Sequence, residues 1–341
     1  MAQESRRLSV SRVPGFLRPR EEGPASLLYV LILAVLLCSV VLCGWRVQVA
    51  HRARVRGLPP DFPAPISDAD VPPLGVNVAL DAYDEREVTS VLTTIADGGF
   101  VWVRQTFRWS EIRAKDAPGT NDWSDADRIV HAVGRHPRLR LVAVLLDDPA
   151  GPPEDTAAFA LFAGAFAERY GEWVDHYQIW DEPNLAAGWD GAGVNPAGYA
   201  NLLARSAEAI RIADPQARIL LAGLAPTTET GPQNLSEPRF LERLYEAGAA
   251  PHFDIVAAKP YGFDTGPADR RVDESVLNVS RVILLREVMA RHGDADKAIW
   301  ASHWGWNALP TGWTGAPSIW GQTDEESQAE RSVALLDRAR E

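Results

Sequence analysis

Two carboxyl side chains stand next to each other, Asp181 and Glu182, directly after the apolar run Tyr177–Trp180 and ahead of Pro183-Asn184. A carboxyl whose pKa is raised by its surroundings can deliver a proton, and a second, ionised one can activate a water molecule. Other carboxyls also follow apolar runs: Asp147 and Asp148 after Leu139–Leu146, and Asp264 after Phe253–Ala258. For Asp147-Asp148 the plain structural role is a solvated turn or a helix cap. Cations occupy similar positions, Lys259 after Ala258 and His303 after Ala298–Ala301. Pairing of Asp181 with Lys259 or His303 would stabilise the charged form of each member. His303, Asp181 and Glu182 lack the spacing of metal ligands, so neither a metal nor a cofactor is expected.

These residues need elements that bring them together. Short apolar runs that suit buried parallel strands are Leu74–Leu80, Val101–Gln105, Leu139–Leu146, Tyr177–Trp180, Ile219–Ala222, Phe253–Ala258 and Ala298–Ala301. Stretches of helical period alternate with them: Asp84–Asp97, Asp125–His136, Thr156–Tyr170, Pro196–Ala213, Pro238–Ala247, Val276–Arg291 and Asp324–Arg340. Near-continuous apolar strands alternating with amphipathic helices predict an α/β fold with helices outside a parallel sheet. Gly75-Val76-Asn77 after the first strand start lacks a dinucleotide fingerprint, which favours a TIM-type (β/α) barrel over a doubly wound sheet. Seven strand–helix units are counted where a closed barrel has eight, so the eighth unit is expected to be missing from this chain.

The N-terminal region reads differently. Leu27–Trp45 carries no charge and is long enough to cross about 30 Å of hydrocarbon as a helix. The expected organisation is a basic leader (1–26), a transmembrane helix (27–45), a Pro-rich linker (46–73) and the barrel (74–341). Arg6, Arg7, Arg12, Arg18 and Arg20 precede the span, while Arg46, Arg52, Arg54 and Arg56 follow it. The two flanks nearly balance; the short basic leader favours a cytoplasmic N-terminus and an extracellular barrel. The net charge of −12 over 341 residues argues against a nucleic-acid partner. Both cysteines, Cys38 and Cys43, fall in the span, so the barrel has no disulfide framework.

The segment Tyr177-Gln178-Ile179-Trp180-Asp181-Glu182-Pro183-Asn184, with Phe166–Gly171 before it, resembles the fourth-strand region of retaining glycoside hydrolases with an Asn-Glu-Pro signature, the cellulase and β-xylosidase-like (β/α)8 glycosidases. Val101-Trp102-Val103-Arg104, Trp109–Ile112, Asn121-Asp122-Trp123 and Lys259-Pro260-Tyr261-Gly262 agree in order and spacing. The resemblance implies O-glycosyl hydrolysis, with Glu182 as general acid/base, Arg104 bracing the carboxylates and Tyr261 bonding the nucleophile. It makes an oligo- or polysaccharide the expected partner. Tryptophan outnumbers tyrosine and phenylalanine, 12 against 7 and 10, and flat rings such as those of Trp304 and Trp306 suit the CH faces of sugars.

Three positions depart from that pattern. The nucleophile Glu of the seventh strand is replaced by His303 within Ile299-Trp300-Ala301-Ser302-His303-Trp304-Gly305-Trp306. Asp181 replaces an Asn that donates to the sugar 2-hydroxyl, whereas an ionised Asp only accepts. Lys259 stands where a His is common. Two expectations follow: a membrane-anchored glycosidase, or an inactive pseudo-glycosidase that binds a glycan or a protein.

Overall fold

The computed structural model describes residues 24–54, 56, 66–69, 74–113, 120–147, 155–189, 191 and 193–340. The chain divides into two compact units, Met1–Arg54 and Val55–Glu341.

In the first unit, α1 spans Pro24–Arg54. Its stretch Leu27–Arg52 is long and apolar enough to cross a membrane, and a signal sequence near an N-terminus has the same character. The helix runs past the expected end at Trp45, because nothing from Arg46 to Arg54 breaks it: Gly57 is the next Gly or Pro. Most of the expected leader and linker, and Asp148, lie outside the described residues.

The second unit is built on seven parallel strands in sequence order: β1 Gly75–Asn77, β2 Trp102–Arg108, β3 Arg140–Leu146, β4 His176–Ile179, β5 Arg218–Leu220, β6 Ile255–Ala258 and β7 Ala298–Ala301. β4 and β6 are buried at every position; β6 is accordingly wholly apolar, whereas β4 carries the buried polar residues His176 and Gln178. The helices between strands are α2 Glu85–Asp97, α3 Trp109–Ile112, α4 Ser124–Gly134, α5 Thr156–Tyr170, α6 Pro196–Ala213, α7 Glu237–Glu246 and α8 Val282–Arg291, and α9 Glu325–Arg340 follows β7. Their starts are chemically marked. Asp84 and Glu87 form a capping box on α2, Asp155 caps α5, and Asn195 precedes Pro196 at the start of α6.

Among the described residues, β1 pairs only with β2 and β7 only with β6. A cavity of about 690 Å³ lies against these outer strands, lined by Ile66, Trp102, Arg104, Ile299, Trp300 and Ser302 among others. At the amino ends of the strands the rings of Trp102, His176 and Trp300 pack together, His176 stacked on Trp300 at 5.1 Å. Part of the expected spacer packs here too: Asp68 pairs with Arg218, and its carbonyl accepts from Trp300 Nε1 at 2.9 Å.

The helix expected over Val276–Arg291 begins only at Val282. The reason is Arg281, which is fully buried. Its guanidinium forks onto Glu237 (Nε–Oε1 2.6 Å, Nη2–Oε2 2.8 Å) and takes the carbonyls of Glu274 and Val276 at 2.6 and 3.0 Å. Those carbonyls serve the guanidinium instead of a helical ladder. Removing one member of such a pair leaves a buried charge uncompensated. Arg281→Met is therefore expected to cost about 3–5 kcal/mol, and Arg281→Met with Glu237→Leu distinctly less. Urea denaturation of the three proteins checks this; a single variant as stable as wild type would refute the account.

Candidate active site

The register of the strands delivers the polar residues to one mouth. β4 runs straight into Trp180-Asp181-Glu182, where Asp181 bridges to Gly223 after β5. Lys259 follows β6, Ser302 and His303 follow β7, and Arg104 lies within β2. Trp180 (φ 70°) and Glu182 (φ 51°), on either side of Asp181, both adopt left-handed backbone. For side chains of this kind that costs about 1–2 kcal/mol each. It is held by Trp180 N donating to Leu145 O, Glu182 N to Gly223 O, and Trp180 Nε1 to Gly188 O, at 2.9, 3.1 and 2.8 Å. Strain of this sort concentrates at functional sites.

Lys259 is the centre of the arrangement. Its Nζ, 5 % exposed as a residue, donates to Asp181 Oδ2 at 2.8 Å and to Glu182 Oε1 at 2.7 Å. Arg104 approaches Asp181 Oδ1 at 3.3 Å through Nη2, donates from Nε to Gln178 Oε1 at 3.1 Å, and from Nη1 to Asn77 Oδ1 at 2.9 Å. Burial works against the charge of Asp181, but Lys259 and Arg104 outweigh it and hold the carboxyl below its usual range. Gly223 makes room: a Cβ there would lie 2.7 Å from Asp181 Oδ1, 2.8 Å from Ser302 Oγ and 2.9 Å from Lys259 Cε.

His303 faces the same group. Burial, then the charges of Lys259 and Arg104, push its imidazole down to about 3, so at neutral pH it is uncharged. Its Nδ1 is buried without a protein partner. The expected pairing of Asp181 thus goes to Lys259 and not to a charged His303. Tyr261 lies 6.3 Å from His303 between ring centroids, and burial followed by the charges of Glu182 and Asp181 raises its phenol.

The other expected residues divide. Trp304 lines the cavity beside β7. Trp306 is buried, lies over Gly262 where a Cβ would meet its ring at 1.9 Å, and donates to Thr265 O at 2.6 Å; these are packing contacts. Asp147 accepts from Ser110 N at 3.0 Å and faces Arg113 at 3.7 Å, so it serves the start of α3. Asp264 Oδ1 accepts from Gln322 N at 3.3 Å. Among the described residues, no cluster of His, Cys, Asp and Glu suits a metal ion. Asn77 and Gln178 were missed by sequence reasoning. Gln178 was detectable as the one amide inside the apolar run of β4.

No family model and no curated protein matches this sequence. Solved structures do resemble it. A glucosidase from Croceicoccus marinus superposes with a TM-score of 0.52 at 17% identity, over 66% of this chain and 50% of that one. A β-glycosidase gives 0.51 at 16%, over 76% and 73%, and a family 51 α-L-arabinofuranosidase from Bifidobacterium longum gives 0.50 at 13%, over 79% and 66%. The fold is TIM-type, shared with glycoside hydrolases. The chain spans about half the length of the Croceicoccus enzyme.

The neutral His303 makes stability depend on pH. Its folded value lies below the ordinary 6.5, so the unfolded chain binds the proton more tightly. The stabilisation is complete above about pH 6.5 and is lost as pH falls toward about 3. His176 and His252 are depressed by burial in the same direction, whereas Asp181 contributes only below its ordinary 3.8. The melting temperature should drop between about pH 7.5 and about pH 5, and His303→Asn should flatten part of that slope. Equal slopes in both proteins would contradict the neutral buried imidazole.

Proposed function

We propose that this chain is a membrane-anchored, glycosidase-like domain that binds carbohydrate at the mouth around Glu182 without hydrolysing it. The observation that carries the proposal is the double engagement of Lys259 with Asp181 and Glu182 at 2.8 and 2.7 Å. Hydrolysis with retention uses two carboxyls about 5–5.5 Å apart, and inversion uses a pair about 6.5–9.5 Å apart with water between them. Facing Glu182 from β6 and β7 are instead an ammonium, a phenol and an uncharged imidazole. Asp181, the neighbouring carboxyl, is committed to Lys259 and Arg104. Asp147 and Asp264 are held by backbone donors elsewhere.

Binding is supported on other grounds. The mouth presents Glu182, about a third exposed at its side chain, together with Arg104, Asp181, Lys259 and Tyr261 as hydrogen-bonding groups. The backbone on either side of Asp181 is strained, as at many functional sites. The neighbouring folds are those of enzymes named for sugar substrates. In this reading α1 is a single membrane span, and the basic leader places the barrel outside the cell. Trp304 then supplies a ring at the edge of the site.

Turnover of a panel of aryl glycosides by the whole chain is expected to match that of Glu182→Ala, while calorimetry detects saccharide binding that Glu182→Ala weakens. Hydrolysis by the wild type that disappears in Glu182→Ala would overturn the non-hydrolytic reading. His303→Glu places a second carboxyl just after β7, on the same mouth as Glu182, and is expected to raise turnover above wild type.

A further inference from the structure

Three groups on the mouth have hydrogen-bonding capacity that the protein leaves unused. Glu182 gives Oε1 to Lys259 at 2.7 Å, and among the described residues nothing bonds its Oε2, on a side chain 35% exposed. The Tyr261 hydroxyl also has no hydrogen-bond partner among the described residues, and its ring lies 6.3 Å from that of His303. His303 Nδ1 is buried without a protein partner. A buried polar atom with nothing to bond is rare in a folded chain and points to a ligand or a chemical role.

Their protonation states define that role. His303 is uncharged at neutral pH, and burial with the charges of Glu182 and Asp181 keeps the Tyr261 phenol protonated. A neutral imidazole carries one N–H and a phenol one O–H, so both can donate to ligand oxygens, while Glu182 can accept a proton. A carboxylate base beside an uncharged imidazole donor is suited to removing a proton from a carbon next to a carbonyl group. The cations suit the same step. Before it, Asp181 and Glu182 offset Arg104 and Lys259. Once Glu182 holds a proton, one positive charge is unmatched, and it stabilises the negative oxygen that proton loss creates. A ligand that brings its own negative charge loses that match, so the ligand is uncharged.

We propose that the mouth interconverts an uncharged aldose, in its open-chain form, with the corresponding ketose. The proposal rests on the carbohydrate reading of the mouth and adds a reaction to it. Glu182 Oε2 takes the proton from C2; the electron pair of that bond becomes the C1–C2 double bond, and the carbonyl pair moves onto O1. The hydroxyl proton of O2 passes to O1 while His303 and Tyr261 hold the two oxygens. Glu182 then returns its proton to C1, and O2 becomes the carbonyl oxygen. C1 is reduced and C2 oxidised within one molecule, so no co-reactant enters.

The test is proton NMR in heavy water of the whole chain, in a detergent without a sugar headgroup, with glyceraldehyde, xylose and glucose. The wild type is expected to replace the C2 hydrogen by deuterium and to form the ketose about 100-fold or more faster than Glu182→Gln. His303→Leu and Tyr261→Phe, each lacking one donor, should slow the exchange about tenfold or more. Methyl glycosides of xylose and glucose cannot open to a carbonyl; they should bind in calorimetry and show no exchange.

No exchange of any aldose by the wild type, with methyl glycosides still bound, would overturn the reaction and leave the carbohydrate reading standing. Exchange that is equally fast in Glu182→Gln would overturn it as well. Exchange that needs Glu182, without binding of methyl glycosides, would uphold the reaction and overturn recognition of closed sugar rings. Neither exchange nor binding overturns both.

Discussion

An ammonium held between two carboxylates where the ends of β4 and β6 converge governs the chemistry of this molecule. Lys259 is almost wholly buried, and charges in that position persist only when paired and hydrogen-bonded. Asp181 and Glu182 supply the pairing, and Arg104 supplies a second cation to Asp181. Burial, together with the same cations, keeps His303, two residues past β7, uncharged at neutral pH.

The rest of the barrel unit is arranged around that contact. The curl of the parallel sheet brings the ends of β4, β5, β6 and β7 within bonding distance, and Gly223 lets Asp181, Ser302 and Lys259 crowd against β5. A side chain at that position would meet all three. The left-handed backbone at Trp180 and Glu182 turns the chain sharply out of β4, and the buried indole of Trp180 anchors the turn on Gly188. Farther out, the fork of Arg281 on Glu237 ties α7 to the segment before α8. That tie fixes the connection following β6, which carries Tyr261 and Phe263.

Much of this was legible in the sequence, for identifiable reasons. Runs of apolar residues mark the strands, so Leu139–Leu146 and Ala298–Ala301 emerge close to their observed limits. Thr156–Tyr170 and Pro196–Ala213 were equally plain, because a cap and an amphipathic period coincide. What failed depended on distant partners. Val276–Arg281 has helical character locally, but a guanidinium paired across 44 positions takes the carbonyl of Val276. Trp306 looked like a sugar platform, and only the space above Gly262 reveals it as packing. The closeness of Lys259 to Asp181 was foreseeable as one of two pairings; the choice between them needed the burial of His303.

Charge balance at the mouth bears on what it can recognise. Asp181 and Glu182 are matched by Arg104 and Lys259, and His303 adds nothing at neutral pH. A site with compensated charges exerts little long-range attraction on an ion, and a uronic acid or a sulfated sugar would have to displace a pair already made. A neutral hexose or pentose has no such cost. It needs only donors and acceptors at short range. A mouth whose two cations are matched by two carboxylates therefore sets a cost for any charged ligand that an uncharged one escapes.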